Sequence, residues 1–406
     1  MVLLHLFASD PASRGRLRAI HVDHGLHPDA GRWSARCQAT CAALAVPLTT
    51  VRVQVNGDAG RGPEGAARMA RHAAFEAELH DDEVLVLAHH RDDQAETFLL
   101  RALRASGPDG LAAMRPWRRF GPGWLWRPLL ETPRADLLAY ARQHGLHWIE
   151  DPGNADGTFD RNFLRHQVLP LMRERWPNVD AAFARSAELS AEASVLLAAE
   201  DLLALDRVRT SDPHVLEVTL VEALPSARRA RVLRRWIETL GLPPLPARGV
   251  ATIESDLLNA APDGVPAFAW SGAVVRRWRN NLHAERHRAP LPAEWQSQWD
   301  GRRALPLPDG AVLQLQGCDG FDEPVQVGAR RGGERIRLAG RSHSHALKHV
   351  LQDLGIPPWQ RVHLPLLSTS KGDILAAGDK VRSNVFDAWL RERGASLVWS
   401  CDGVHD

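Results

Sequence analysis

Lysine is nearly missing from this chain: among 406 residues only Lys348, Lys371 and Lys380 occur, all after residue 347. A phosphate loop of the G-x-x-x-x-G-K-S/T type therefore cannot exist in the N-terminal half, and any nucleotide site there must work without its lysine. Cysteine is scarce too: Cys37 and Cys41 lie four apart on an expected helix, Cys318 and Cys401 stand alone, and no C-x-x-C pair occurs. That spacing argues against a zinc site or a disulfide framework and fits a reducing compartment. Net charge is only +1, so no global basic field points to nucleic acid, and any such surface must be local. No apolar run reaches the roughly 18–20 residues of a membrane helix. Met1–Ala8 is too short and lacks the basic flank of a signal peptide, so a cytoplasmic protein without a membrane partner is expected. What is present is 44% hydrophobic residues, enough for a sizeable core and more than one domain.

The stretch around which the rest is organised is Val84–Gly110, VLVLAHHRDDQAETFLLRALRASGPDG. Val84–Ala88 is an unbroken apolar run, the pattern of a strand buried on both faces. His89 and His90 stand at its end. Ala95, Phe98, Leu99, Ala102 and Leu103 then recur at helical spacing. Asp92 and Asp93 fall in the first turn, where carboxylates complement the exposed N–H groups. His89, Asp93 and Glu96 can gather at one strand-to-helix corner, with Asp93 and Glu96 sharing a helix face. In open α/β sheets such corners bind ligands. The plainer reading is a capped helix with two surface histidines.

The flanking chain alternates. Met1–Ala8 reads as a helix, Leu17–Asp23 as a strand, Asp29–Ala45 as a helix, Leu48–Val55 as a strand and Glu64–Leu79 as a helix. This order predicts a doubly wound parallel sheet, an α/β domain over residues 1–180. After Gly110 come turns with Trp117, Trp124 and Trp126, a helix from Pro133 to Gly145, a short extended piece at Trp148–Glu150, and a helix over Asp160–Trp176 broken near Pro170. Residues 181–322 read as a mostly helical middle domain with long helices at Ala181–Arg207 and Leu224–Leu240. The second carries Arg228, Arg231 and Arg235 on one face, either an RNA-facing surface or merely a solvated one. Phe268–His283 and Ala311–Gln316 read as strands. Residues 323–406 form a small α+β module. Within it, Gly328–Arg382 holds ten Lys/Arg against four Asp/Glu.

Several of these stretches resemble one family. HHRDDQAETFLL with RASGPDGL, HVDHGLH, EGAARMARHAAF, RPLL, WIEDPGN with RNFLR, and the C-terminal RRGGERIR…LK…GIPPWQR are similar to segments of the bacterial tRNA(Ile)-lysidine synthetases, of the PP-loop ATP pyrophosphatase superfamily. Gly153 stands where the family usually has Ser, a small change in a turn. The resemblance implies a PP-loop ATPase fold, ATP with Mg²⁺, and a tRNA(Ile) bearing a CAU anticodon. It also implies free L-lysine as co-substrate and a homodimer. ATP would adenylate the C2 oxygen of the wobble cytidine, and the lysine ε-amino group would then displace AMP. Carried onto this sequence, Asp93 and Glu96 would hold the lysine ammonium. His89 would stabilise the activated base or phosphate, and Arg161 the α-phosphate or departing AMP. Asp23, His24 and Arg68 would line the nucleotide, and Arg330, Arg335, Arg337, Arg341 and Lys348 would meet tRNA. In the family, the segment resembling MVLLHLFA follows an SGGxDS pyrophosphate loop and the strand feeding it. Neither is expected in this chain, so weakened ATP binding and a sheet short of an interior strand are expected too. Two other readings compete. One is a metal-dependent phosphohydrolase built on His21, Asp23, His24, His27, His89, His90, Asp92 and Asp93. The other is a tRNA-binding protein without catalysis.

Overall fold

The computed structural model describes residues 1–25, 27–55, 62–149, 153, 157–261, 264–341 and 343–400, with only the backbone of 62–64. Two compact units divide it, Met1–Glu200 and Asp201–Asp406.

In the first unit the expected alternation is present: α1 (Val2–Ser9), α2 (Pro11–Arg14), β1 (Ala19–Asp23), α3 (Ala30–Ala43), β2 (Leu48–Arg52), α4 (Gly62–Glu78), β3 (Val84–Val86), α5 (Arg91–Ala102) and α6 (Pro108–Leu111). β1 and β2 pair in parallel from Ala19↔Leu48 to Asp23↔Arg52. The Trp-rich segment expected as turns is a hairpin of β4 (Trp117–Phe120) and β5 (Gly123–Trp126). β5 also pairs in parallel with β3. Gly123 is required there, because a Cβ would lie 2.4 Å from the Glu83 carbonyl. Trp117 and Trp126 stack with centroids 5.0 Å apart. Among the described residues no ladder joins β1 to β3. They are linked instead by Arg18 Nε donating to Glu83 at 2.6 Å, and by Ile20, Val22 and Leu87 packing on Phe75, Leu79, Leu85, Phe120 and Leu125.

α7 (Arg134–Gln143) follows, then α8 (Asp160–Phe163), a π-helical turn at Leu164–Val168, α9 (Leu169–Arg175) and α10 (Val179–Val208). The break expected near Pro170 is thus a widened turn. Pro170 has no N–H for the carbonyl four residues back, and the Leu169 N–H reaches five back, to Leu164. Glu150 and the neighbouring residues 151–152 and 154–156 lie outside the described residues.

The second unit opens with β6 (Val215–Glu217), α11 (Val218–Glu222), α12 (Ser226–Thr239) and α13 (Ala247–Thr252), then a meander of β7 (Ala267–Trp270), β8 (Ala273–Trp278) and β9 (Asn281–Arg286). The helices expected in the middle segment pack on an antiparallel sheet of order β6-β9-β8-β7. Its core holds Leu233, Trp236, Ile237, Ile253 and Leu282. On the arginine face, Arg231 is tied to buried Asp201 at 2.7 Å and Arg235 to Glu238. The rest of the unit comprises β10 (Gln296–Trp299), β11 (Leu305–Pro306), β12 (Val312–Gln316), β13 (Val325–Gly328), β14 (Arg335–Ile336), β15 (His345–Ala346), α14 (Leu347–Asp353), α15 (Pro358–Arg361), β16 (Leu366–Ser368), β17 (Ile374–Ala377), β18 (Val381–Arg382), α16 (Asn384–Glu392) and β19 (Ser396–Ser400). Its main sheet runs β10-β13-β16-β17-β18. Among the described residues no helix is long and apolar enough to cross a membrane.

Candidate active site at the start of helix α5

The local sequence HHRDDQAET builds its own helix start. His90 is the N-cap, and its ring accepts the Asp93 N–H while the Asp93 carboxylate accepts the His90 N–H at 3.0 Å. This reciprocal cap satisfies two of the N–H groups that a helix leaves open. Asp92 turns away, accepting the Arg134 N–H at 2.9 Å and so starting α7. Gln94 exchanges two hydrogen bonds with the Met114 backbone. The plain reading as a capped helix is therefore right for His90 and half of Asp93.

The other half of Asp93 and all of Glu96 do something else. Asp93 is 8% exposed and Glu96 1%. Arg161 bridges them, with Nε 2.7 Å from Glu96 and Nη2 2.9 Å from Asp93. Arg165 does the same, with Nε 2.6 Å from Glu96 and Nη2 3.1 Å from Asp93. Two buried carboxylates and two partly exposed guanidiniums make an electroneutral quartet, and the i,i+4 spacing of the arginines brings both to one place. Burial works against the charge on Asp93, but His90, the His90 N–H and Arg161 together hold its pKa below the ordinary value. Arg165 was missed as a site residue, although the RN-x-x-R spacing carried the signal. Asn162 within that motif ties the helix to the Gly153 carbonyl at 2.9 Å.

His89 lies beside the quartet. Burial, then the nearby cations Arg127, Arg161 and Arg68 acting against Asp93, push its pKa down to about 4. His72 on α4 is likewise held at about 4 by burial and by Arg68, Arg118, Arg71 and Arg127. Two neutral imidazoles thus stand in a field of arginines, a place suited to an anion. Arg68 contributes to that field. His24 has its pKa lowered by burial and by Arg71, and its Nδ1 is buried with no hydrogen-bond partner among the described residues. Asp23 is closer to a structural residue, since its carboxylate closes the turn by accepting the Gly25 N–H at 2.8 Å. Among the described residues no three His, Cys, Asp or Glu side chains converge to hold a metal ion. The histidines and aspartates named for the hydrolase reading thus form no assembled ligand set among the described residues. The cavity of about 280 Å³ lined by Phe321, Val325, Leu375, Phe386 and Trp389 contains none of these residues.

Of the five cations expected to meet tRNA, Arg330 is held by Glu334 at 3.3 Å and by the Arg361 carbonyl. Arg335 is folded onto Ser344. The GGERIR turn closes on itself, with Glu334 accepting the N–H groups of Arg331 and Gly332. Arg337, Arg341 and Lys348 are exposed.

Comparison with known proteins agrees with this layout. The PP-loop domain family matches residues 1–172, the TilS substrate binding domain 216–283 and the TilS substrate C-terminal domain 325–399. A tRNA(Ile)-lysidine synthase of Xanthomonas axonopodis pv. citri is 56% identical over 401 residues, covering 98% of this chain and 91% of the relative. One from Xylella fastidiosa is 50% identical over 404 residues, covering 98% and 92%. Among solved structures, the U34-tRNA thiolase NcsA from Methanococcus maripaludis superposes on 47% of this chain and 67% of its own, at 13% identity and a TM-score of 0.40. With relatives of such identity running nearly its whole length, this chain belongs to the tRNA(Ile)-lysidine synthase family.

Proposed function

We propose that this chain forms lysidine on tRNA(Ile), and that the α5 corner is where the reaction takes place. ATP adenylates the C2 oxygen of the wobble cytidine in the CAU anticodon and pyrophosphate leaves. The ε-amino group of free L-lysine then attacks C2 and AMP departs. The observation that carries this reading is the electroneutral quartet of Asp93, Glu96, Arg161 and Arg165 beside a neutral histidine. It is the one place at this corner with buried carboxylates for an ammonium and cations for a phosphate.

The quartet also dictates an order. Both carboxylates are engaged by arginines, so lysine reaches them only by taking over hydrogen bonds from a guanidinium. The guanidinium so released, Arg161 in this proposal, is free to neutralise the α-phosphate and then the departing AMP. Asp93 or Glu96 accepts the proton that the attacking amine must lose. Asp23, His24 and Arg68 flank the nucleotide, and Mg²⁺ arrives on its phosphates, since the described residues hold no ready set of ligands for it. Residues 1–180 form the catalytic domain, 181–322 the middle substrate-binding domain and 323–406 a tRNA-binding domain that uses chiefly Arg337, Arg341 and Lys348. The setting is the cytoplasm, and the family resemblance alone supports a dimer, which light scattering tests. The reaction itself is tested by release of AMP that requires ATP, lysine and CAU-anticodon tRNA together, with pyrophosphate release requiring ATP and the tRNA. AMP release without lysine, or pyrophosphate release without the tRNA, overturns it.

A further inference from the structure

A buried cation without an anion is costly, so it needs a reason. Arg127 is 5% exposed, and among the described residues it forms no ion pair with a carboxylate. Its Nη1 donates to the Arg115 carbonyl at 2.7 Å, its Nε to His89 Nδ1 at 3.2 Å, and its backbone N–H to the Pro116 carbonyl at 2.9 Å. Burial, then Arg118 and Arg68, lower its pKa to about 10, so it stays charged at neutral pH.

A guanidinium has donors only. The nitrogen that receives its N–H must therefore carry a lone pair, so His89 Nδ1 is unprotonated. The imidazole is neutral, and its single proton must sit on Nε2. Nε2 has no protein partner among the described residues and is not sealed from solvent. We propose that Arg127 is a positioning residue: it fixes His89 in the tautomer with the proton on Nε2, so that His89 meets the substrate as a hydrogen-bond donor and not as a base. The inference relies on the proposed function for the place of His89 at the reaction, but not for its tautomer. It assigns roles that residue type alone left open. An oxygen on the cytidine C2 or on the α-phosphate accepts the Nε2 proton's hydrogen bond, while the proton lost by lysine goes to a carboxylate. It also gives the RPLL motif a task, because Arg127 opens it.

The test is a long-range proton–nitrogen correlation spectrum of the ¹⁵N-labelled full chain at pH 7, with H89Q assigning the ring. A protonated Nε2 and an unprotonated, hydrogen-bonded Nδ1 are expected. In R127M the two nitrogens should move toward averaged shifts as the tautomers mix, and R127K, which keeps a donor, should restore part of the preference. Lysidine formation by R127M should fall about 10–100-fold in kcat, as when a group that orients a reacting residue is removed, with KM for lysine little changed. A proton on Nδ1 in the wild-type chain overturns the proposal even if R127M fails to fold. An unchanged tautomer in R127M overturns it as well. Full turnover by H89Q would instead overturn the assignment of the site, leaving the tautomer result standing on its own.

Discussion

Glu96 and Asp93 share the same two arginines but not the same surroundings, and the difference separates their mutants. Glu96 has both oxygens committed to guanidiniums and is 1% exposed. Neutralising it leaves two partly exposed guanidiniums sharing the single carboxylate of Asp93. Glu96→Gln is expected to cost about 1–3 kcal/mol of unfolding free energy, as for a lost hydrogen bond to a charged group. Asp93 has one oxygen in the helix cap, and Asn can still accept the His90 N–H there. Asp93→Asn should therefore fold and bind tRNA yet lose lysidine formation. Wild-type turnover by the Asn variant would remove Asp93 from the chemistry. His72 and His89 make a second prediction. Both have folded pKa values of about 4 against an ordinary 6.5. Above pH 6.5 neither state is protonated and nothing is lost. As pH falls from 6.5 toward 4, the unfolded chain takes up protons that the folded chain refuses, so stability drops. Unfolding near pH 5 should take up close to two protons from this pair, and one fewer in His72→Phe. A stability curve flat between pH 7 and 4.5 would contradict the buried, neutral state of these rings.

At the scale of elements, what could be read in the sequence was what local pattern decides. The apolar run of β3, the spacing of α5 and its carboxylate start, and the Pro133–Gly145 helix are each set by neighbours in the chain. The β4–β5 hairpin was not legible. In WRRFGPGWLW the exposed Trp117 and Trp124 blur the alternation that marks a half-buried strand. Its partner β3 lies more than thirty residues upstream, a pairing that no local window contains. Asp93, Glu96, His89 and Arg161 were likewise visible as chemistry, and Arg165 was signalled by the RN-x-x-R spacing, whereas Arg127 emerges as a site residue only when distant segments meet. The same distinction separates the C-terminal cations. Arg330 is held inside its own module and Arg335, though exposed, is folded onto Ser344, whereas Arg337, Arg341 and Lys348 are exposed. Reversing the last three to Glu should weaken tRNA binding and lower the slope of log K against log salt by about 3, near one per phosphate contact. Arg330→Ala should instead lower the melting temperature and leave that slope nearly unchanged. Equal salt slopes for the two variants would remove the distinction.

For the whole molecule, the two units differ in how they are held. The second has a large continuous core around Trp236, Ile253 and Leu282. The first has two small buried clusters, one around Leu85 and Leu125 and one around Cys41 and Val46. Its strands form two separate ladders, so β1 and β3 share no backbone hydrogen bonds among the described residues. Stability follows buried apolar area and satisfied backbone groups, so the first unit should open at lower temperature. Amides of β1 and β3 should exchange with deuterium well before those of β8 and β9. Simultaneous loss of both units in calorimetry, with equal protection, would contradict this. The stacked rings of Trp117 and Trp126 supply an optical consequence. Two indoles at 5.0 Å have transition dipoles close enough to split into an exciton pair. Their circular dichroism couplet belongs to the strand that leads directly into Arg127, so it reports in real time whether that strand is still in place.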